Sequence, residues 1–151
     1  AGLDGPGPVK GSRGISVMAE SSLSDHAQES FDAVILPGGL GGTHRLRDSE
    51  SVRKAVRAQL DAGRLTAAIC AAPLALKAAG VLEGRRITHH PSVADDLLGS
   101  GAELTGERVV KDGQLFTSQG PGTAMEFALA LVQELRGMEV ASSVGAAMCV
   151  R

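Results

Sequence analysis

The 151-residue sequence contains no tryptophan and no tyrosine, and its three phenylalanines make up only 2% of the chain. Single-stranded nucleic acids stack on aromatic side chains, so this scarcity argues against a binder of that class. Basic residues number 15 and acidic residues 17, which gives a net charge of −2. No basic surplus attracts nucleic acid or anionic lipid. The sequence therefore predicts an aliphatic core and partners that are small molecules or proteins.

Cysteine is also scarce, since Cys70 and Cys149 are the only two and neither has paired metal-ligand spacing. This count argues against a disulfide-stabilised secreted scaffold and favours a reducing compartment such as the cytoplasm. The longest apolar run, 65–76, is interrupted by Thr66 and Pro73. It is shorter than the roughly 20 residues that a membrane-spanning helix needs. We predict neither a membrane span nor a signal peptide.

The composition is that of an ordinary globular protein, with 43% hydrophobic and 21% charged residues. A chain of this length buries about 70% of the surface that its unfolded form exposes, so it needs no disulfide or structural metal. No internal repeat or interdomain linker divides the sequence. We therefore predict one domain covering residues 1–151.

From Phe31 onward, short apolar runs alternate with segments of helical period, which predicts parallel strands joined by crossover helices. A glycine-rich loop is expected after Leu36, Asp48 is a predicted N-cap, and Thr123 and Glu126 have the spacing of a capping box. The predicted strands are 33–36, 65–69 and 86–88 with a hairpin of 107–111 and 114–118, and the predicted helices are 49–62, 72–79, 93–98 and 124–136.

The first thirty residues give weaker signals, because residues 1–14 are rich in glycine and proline and contain no apolar run of strand length. Residues 15–18 are predicted to form a short edge strand. Ser24 and Asp25 are predicted to cap a short helix that ends before Phe31. We therefore predict that the sequence enters its fold midway.

Cys70 falls between the predicted strand 65–69 and the predicted helix 72–79. Unpaired N–H groups and the positive end of the dipole at a helix N-terminus both stabilise a thiolate. The small side chains of Ala71 and Ala72 permit a tight turn there. Cys70 is therefore a candidate nucleophile, and the alternative of a small buried hydrophobic residue stays open.

His90 is the candidate general base, because it follows a predicted strand and is therefore expected at the same carboxyl edge of the sheet as Cys70. Adjacent residues of an extended chain point in different directions, so His89 and His90 do not predict a metal site. The N–H groups of the turn at Gly38 and Gly39 are candidates for an oxyanion hole, together with that of Ala71. A structural histidine and a simple tight turn are the alternative interpretations.

Four motifs follow one another along the chain: Leu36-Pro37-Gly38-Gly39, Ala67-Ala68-Ile69-Cys70-Ala71-Ala72-Pro73, Thr88-His89-His90-Pro91 and Thr117-Ser118-Gln119-Gly120-Pro121-Gly122-Thr123. In this combination the sequence resembles the ThiJ/PfpI superfamily from Ala1 to about Val140. The resemblance implies a flavodoxin-like three-layer α/β sandwich with a mostly parallel sheet, of the class I glutamine-amidotransferase-like type. It also implies a homodimer that uses no cofactor.

The resemblance assigns roles to individual residues. Cys70 matches the reactive cysteine of the family, and His90 matches the histidine beside it. The remaining pocket positions implied by the resemblance are Gly38, Gly39 and Ala71, with Arg13 matching an arginine near the pocket and the dimer interface.

The activities implied by the resemblance centre on reactive dicarbonyls. They comprise glyoxalase III-type conversion of methylglyoxal to lactate and deglycation of protein or nucleotide adducts, in cytoplasm, nucleus or mitochondria, as part of an oxidative stress response. The implied mechanism is attack of the Cys70 thiolate on an aldehyde. The alternative is a redox-sensing chaperone without turnover that acts through oxidation of Cys70. A glutamine-amidotransferase-like relative or an inactive fragment is a third interpretation.

The sequence departs from the family pattern at three places. Family members carry a strand–helix unit before the position of Ala1, which supplies a central strand and a glutamate bonded to the reactive cysteine. We therefore expect an N-terminally truncated domain with unpaired sheet edges. Met18 replaces a surface cysteine of the animal proteins, and Gln119 replaces an arginine. The tail after Gly145 differs from the usual family ending.

Overall fold

A computed structural model describes residues 1–150. The strands in this range are β1 (Gly7–Lys10), β2 (Ser16–Ala19), β3 (Ala33–Leu36), β4 (Leu65–Ile69), β5 (Arg86–Ile87), β6 (Glu103–Leu104), β7 (Val109–Asp112) and β8 (Leu115–Ser118). The α-helices are α1 (Leu40–Asp48), α2 (Glu50–Asp61), α3 (Pro73–Ala79), α4 (Ala94–Leu97), α5 (Ala124–Arg136) and α6 (Met138–Ala147). Short 3-10 turns cover Leu23–His26, Pro91–Val93 and Pro121–Thr123.

The central sheet has the order β3-β4-β8-β7. Its β3–β4 and β4–β8 pairs are parallel, whereas β7 and β8 form the predicted antiparallel hairpin. The strands β1 and β2 form a separate antiparallel hairpin, and β5 pairs with β6 in parallel. The predicted α/β class with a mostly parallel sheet is therefore confirmed.

The core lies on both faces of this sheet. Successive residues of a strand point to opposite faces, and Ala67 and Ala68 of β4 accordingly belong to two different apolar clusters. Ala68 packs in the larger cluster with residues of α2 and α3, such as Val56. Ala67 packs in the smaller one with Phe127 and Leu131 of α5. Helices thus cover the sheet from two sides and make three layers.

One edge of the central sheet is open at β3, as expected from the sequence, because β3 pairs with β4 alone. Ile35, in the middle of β3, is 50% exposed. A groove of about 730 Å³ runs along this edge, between the β1–β2 hairpin and the helices α1 and α2. Its walls include Leu3, Leu46 and Val52.

Two predictions for the N-terminal third are wrong. Residues 1–14 contain the strand β1, although they have no apolar run of strand length. Such a run is not needed, because β1 packs only against β2 and is exposed along most of its length. The helix α1 replaces the glycine-rich loop, because Gly39, with φ of 87°, makes the turn and Gly41 and Gly42 lie in the first helical turn. The predicted strand at 15–18 is present one residue later, as β2.

Two predictions about helix ends are also corrected. Ser49 and not Asp48 caps α2, since the Ser49 hydroxyl accepts a hydrogen bond from the N–H of Val52. The hydroxyl of Thr123 bonds to Gly120 and not to α5, and Glu126 pairs with Arg108. The predicted capping box is therefore absent, although α5 has its predicted bounds.

Beyond α5 the structure adds an element that the sequence analysis did not predict. The helix α6 begins after Gly137, whose φ of 90° reverses the chain. It packs on α5, with Gly145 in contact with Leu129. The small residues of α6 mask its amphipathic pattern in the sequence. The predicted helix 93–98 is shorter in the structure, where a 3-10 turn leads into α4.

Candidate active site

Cys70 lies at the sharp turn between the buried strand β4 and α3. Its φ of 66° is in the left-handed region, which only Cys149 shares among the non-glycine residues of 1–150. Such a conformation costs about 1–3 kcal/mol and persists only where the surroundings enforce it. The enforcing contacts are two backbone hydrogen bonds of 2.9 Å, from the N–H of Cys70 to Ser118 O and from the N–H of His90 to Cys70 O.

Gly38 approaches Cys70 more closely than any other residue type could. A Cβ atom on Gly38 would lie 2.6 Å from Cys70 Cβ, 2.9 Å from Ile69 O and 3.3 Å from Cys70 Sγ. The first two distances are below those that real Cβ atoms show. The glycine therefore allows the loop after β3 to lie directly against the cysteine.

Several backbone N–H groups around Cys70 have no acceptor. Two groups at the start of α3 do have acceptors, since the N–H of Ala72 donates to Ile69 O and the N–H of Leu74 donates to Ala71 O. Within residues 1–150, the N–H groups of Gly39 and Ala71 make no hydrogen bond. Unpaired N–H groups at a strand-to-helix turn attract an anion or a developing oxyanion. The N–H groups of Gly39 and Ala71 are therefore free to serve the oxyanion pocket that the sequence predicts, which stays a prediction.

The imidazole of His90 is fixed by Ser92. His90 is the N-cap of the 3-10 turn Pro91–Val93, and its Nδ1 accepts a hydrogen bond of 3.2 Å from the N–H of Ser92. Nδ1 also lies 2.8 Å from Ser92 Oγ. With Nδ1 occupied, Nε2 is the nitrogen that is left for a substrate. In the described part of the chain, the ring forms no hydrogen bond with the Cys70 thiol.

His89 and Arg13 differ in how they relate to the site. His89 is buried, and its Nδ1 lies 2.9 Å from His90 O, which is a structural role. Arg13 is exposed in the turn between β1 and β2 and forms no ion pair or side-chain hydrogen bond within 1–150. Its neighbour Ser12 has Oγ 3.6 Å from the position of a Cβ atom on Gly39. The hairpin thus adjoins the candidate pocket through Ser12.

Ser92 and Ser118 adjoin the candidate site although their sequence positions did not predict this. Ser92 holds the His90 ring, and Ser118 O holds the Cys70 backbone. Pro91 could have indicated the role of Ser92. Proline favours the first position of a helix, which makes His90 the N-cap and Ser92 the residue whose N–H the His90 side chain accepts. No sequence signal links Ser118 to Cys70, since parallel strand pairing alone brings them together.

Other features of the described residues do not add to this site. The groove beside β3 reaches Gly38 and is not lined by Cys70. His26 and His44 are half-buried. Residues 1–150 contain no cluster of three metal-ligating side chains. None of the helices described is both long and apolar enough to cross a membrane.

Comparisons with known proteins agree with these motifs. The sequence model of the DJ-1/PfpI family matches residues 1–134. The Parkinson disease protein 7 homolog of Danio rerio is 44% identical over 100% of this chain and 81% of its own. The crystal structure of Drosophila melanogaster DJ-1beta superposes with a TM-score of 0.96 at 43% identity, covering 100% of this chain and 81% of that one.

A further relative has a name that states an activity. The protein called glutathione-independent glyoxalase DJR-1.2, from Caenorhabditis elegans, is 35% identical to this chain. The match covers 95% of this chain and 76% of the relative.

Proposed function

Because the chain belongs to the DJ-1/PfpI family, we propose that it is a cofactor-independent enzyme whose Cys70 attacks small reactive dicarbonyls such as methylglyoxal and glyoxal. The observation that carries the proposal is the left-handed backbone of Cys70 beside the unpartnered N–H groups of Gly39 and Ala71. The relative named as a glyoxalase supports this substrate class. Adducts of dicarbonyls with protein or nucleotides are substrates of the same chemical type.

The proposed reaction needs no external oxidant. The Cys70 thiolate adds to the aldehyde carbon of methylglyoxal, and the resulting oxyanion accepts hydrogen bonds from the N–H groups of Gly39 and Ala71. The hydrogen of the former aldehyde carbon leaves as a proton, and a proton is returned at the adjacent carbon. This transfer produces a thioester of lactate, which water hydrolyses to lactate and free thiolate.

His90 is the proposed carrier of these protons: Nε2 holds the ring proton because Nδ1 accepts from the N–H of Ser92, so it first donates this proton to the substrate and then takes up the proton released from carbon. In residues 1–150, no carboxylate forms a hydrogen bond with the Cys70 thiol. His90, whose N–H donates to Cys70 O, is therefore the acid–base group that we propose for these transfers. General acid–base catalysis of this kind contributes about 10²–10⁴-fold to a rate.

Lactate formation from methylglyoxal without glutathione tests the proposal. Cys70→Ser is expected to reduce lactate production to the uncatalysed background, because a serine hydroxyl has no comparable anionic form at neutral pH. Cys149→Ser is the matched control and should keep the wild-type rate, since Cys149 is exposed at the end of α6. Equal rates for the wild type and Cys70→Ser would contradict the proposal.

The redox-sensing chaperone is distinguished by a second measurement on the same variants. If the protein is such a chaperone, the wild type makes no lactate. Peroxide then oxidises the Cys70 thiol to a sulfenic or sulfinic acid, and this changes how well the protein prevents aggregation of a heat-denatured client protein. Client protection that depends on peroxide and on Cys70, without turnover, would favour the chaperone. The half-buried Cys70 and its adjacent N–H groups are compatible with an oxidised acid as well.

We also propose a homodimer that forms through the β1–β2 hairpin. Ile15, Val17 and Met18 are between 68% and 73% exposed, which is unusual for three large apolar residues so close together. A second copy of the chain would cover them. Wild-type protein is expected to elute as a dimer in size-exclusion chromatography with light scattering, and Val17→Lys as a monomer. A monomeric wild type at high micromolar concentration would refute this interface.

Both cysteines are free thiols in the structure. Free thiols are maintained in reducing compartments, where disulfides are rare. This supports a proposed location in the cytoplasm, with the nucleus and mitochondria as further sites.

A further inference from the structure

The loop between β8 and α5, residues 118–123, contains a buried hydroxyl whose hydrogen-bonding capacity is fully used. Thr123 is 4% exposed. Its Oγ1 donates to Gly120 O at 2.9 Å, accepts the N–H of Gly120 at 3.1 Å and lies 2.6 Å from Ser118 Oγ. A threonine hydroxyl has one proton and two lone pairs. Because its proton is directed at Gly120 O, the Ser118 hydroxyl donates in the third contact, which at 2.6 Å is shorter than the 3.3 Å contact of the same hydroxyl with Arg108 O.

The 118–123 loop touches both proposed reacting residues. Ser118 O accepts the hydrogen bond from the N–H of Cys70 at 2.9 Å. Gly120 lies against the ring of His90, since a Cβ atom on Gly120 would be 3.2 Å from His90 Cδ2. The bonds of Thr123 reach neither Cys70 nor His90. They link Ser118, whose carbonyl oxygen holds the Cys70 backbone, to Gly120, which lies against the His90 ring.

Two other threonines show that this arrangement is not a general requirement of the core. Thr43 and Thr66 are fully buried, and neither hydroxyl has a hydrogen-bond partner in the described residues. A buried threonine in this protein is therefore tolerated without partners. The three contacts of Thr123 are specific to the loop behind the site.

We propose that Thr123 is a positioning residue for the Cys70–His90 pair. Its hydroxyl fixes the 118–123 loop, so that Ser118 O holds the Cys70 backbone in its left-handed turn and Gly120 sets the plane of the His90 imidazole. This inference rests on the proposed use of Cys70 and His90. A purely local role, in which Thr123 only caps the turn Pro121–Thr123, would affect stability and nothing else.

The test compares Thr123→Val, which keeps the shape and removes the hydroxyl, with Thr123→Ser, which restores it. Alkylation of Cys70 by iodoacetamide is followed across pH by peptide mass spectrometry, with Cys149 as the internal reference. Thr123→Val is expected to slow Cys70 alkylation at pH 7 by about threefold or more, as the cysteine loses its place beside the unpartnered N–H groups. Thr123→Ser is expected to recover the wild-type profile.

Thr66→Val is the matched control, because it removes a buried hydroxyl that has no partner. It should leave the Cys70 profile unchanged. If Thr123→Val lowers the melting temperature but leaves the Cys70 profile as in the wild type, Thr123 is a local cap and the proposal is wrong. The alkylation measurement needs no turnover, so it decides this question even if the wild type produces no lactate.

Gly120→Ala provides an independent test should Thr123→Val fail to fold. Gly120 has φ of 164°, which alanine adopts without strain, and the substitution keeps the hydrogen bonds of Thr123. The added methyl group displaces the His90 ring, so modification of His90 by diethylpyrocarbonate is expected to change by about twofold or more. Where lactate is formed, kcat should fall more than KM rises. An unchanged modification rate of His90 would overturn the proposal.

Discussion

At the scale of single residues, the candidate site depends on one strained backbone conformation. Cys70 occupies a region of φ that non-glycine residues avoid, and the space beside it is closed by Gly38. A left-handed turn presents the thiol at the end of β4 while the first four residues of that strand stay buried. The strain is stable because hydrogen bonds from two other elements fix the peptide groups of Cys70.

Substitution of Gly38 by alanine should disrupt this turn. The new methyl group would collide with Cys70 Cβ and Ile69 O, neither of which is the end of a flexible side chain. We expect a loss of about 1–3 kcal/mol in the free energy of unfolding and slower alkylation of Cys70. Urea unfolding and iodoacetamide labelling measure the two effects.

Gly41→Ala is the control for this substitution. Gly41 lies in the first turn of α1 and has no atom within 4 Å of a Cβ position. Alanine there is expected to leave Cys70 alkylation unchanged and to raise the stability slightly. If Gly38→Ala behaved like Gly41→Ala, close packing of Gly38 on Cys70 would not be required.

At the scale of elements, the junction of α1 and α2 is organised by Ser49. Its N–H donates to Leu46 O at the end of α1, and its hydroxyl caps α2. Glu50, at the first position of α2, accepts a hydrogen bond from Arg53 that lowers the pKa of its carboxyl group below the ordinary 4.5. A lowered folded-state pKa stabilises the fold above about pH 4.5, and this contribution disappears as Glu50 protonates at lower pH.

Ser49→Ala should destabilise the protein by about 1 kcal/mol, because the N–H of Val52 loses its acceptor. Ser51→Ala is the matched control, since Ser51 is exposed on the same turn and does not cap the helix. Thermal or urea unfolding compares the two variants. Equal stabilities would show that water replaces the Ser49 hydroxyl at no cost.

At the scale of the whole molecule, the sheet is asymmetric. The strand β4 is paired on both sides, by β3 and β8, and its first four residues are buried. The strand β3 has a partner on one side only, although it leads directly into the loop that contacts Cys70. Alternate N–H groups of β3 therefore face the groove and not another strand.

Hydrogen exchange should report this asymmetry. The amides of β4 are expected to be among the slowest to exchange, whereas β3 should show slow and fast amides in alternation. Residue-resolved exchange measured by NMR distinguishes the two patterns. If all amides of β3 exchanged as slowly as those of β4, its outer edge would be paired in solution, and dilution would then reveal whether a second copy is the partner.

Much of the architecture is encoded in local sequence patterns. Buried parallel strands are continuous apolar runs, so β3 and β4 were predicted with their observed bounds, as was α5 from its regular apolar period. The helix α1 and the strand β1 were missed because glycine and exposure remove the periodic signal. Their presence depends on packing against other parts of the chain.

The sequence by itself determined the candidates for the reacting residues, since the motifs around Cys70 and His90 carry both the residue types and their position after a strand. Only the tertiary structure decided how they are held. The acceptor Ser118 O, the contact of Gly38 with Cys70 and the loop that Thr123 fixes all join residues distant in sequence. Such contacts arise from strand pairing and close packing, which no local pattern of side chains specifies.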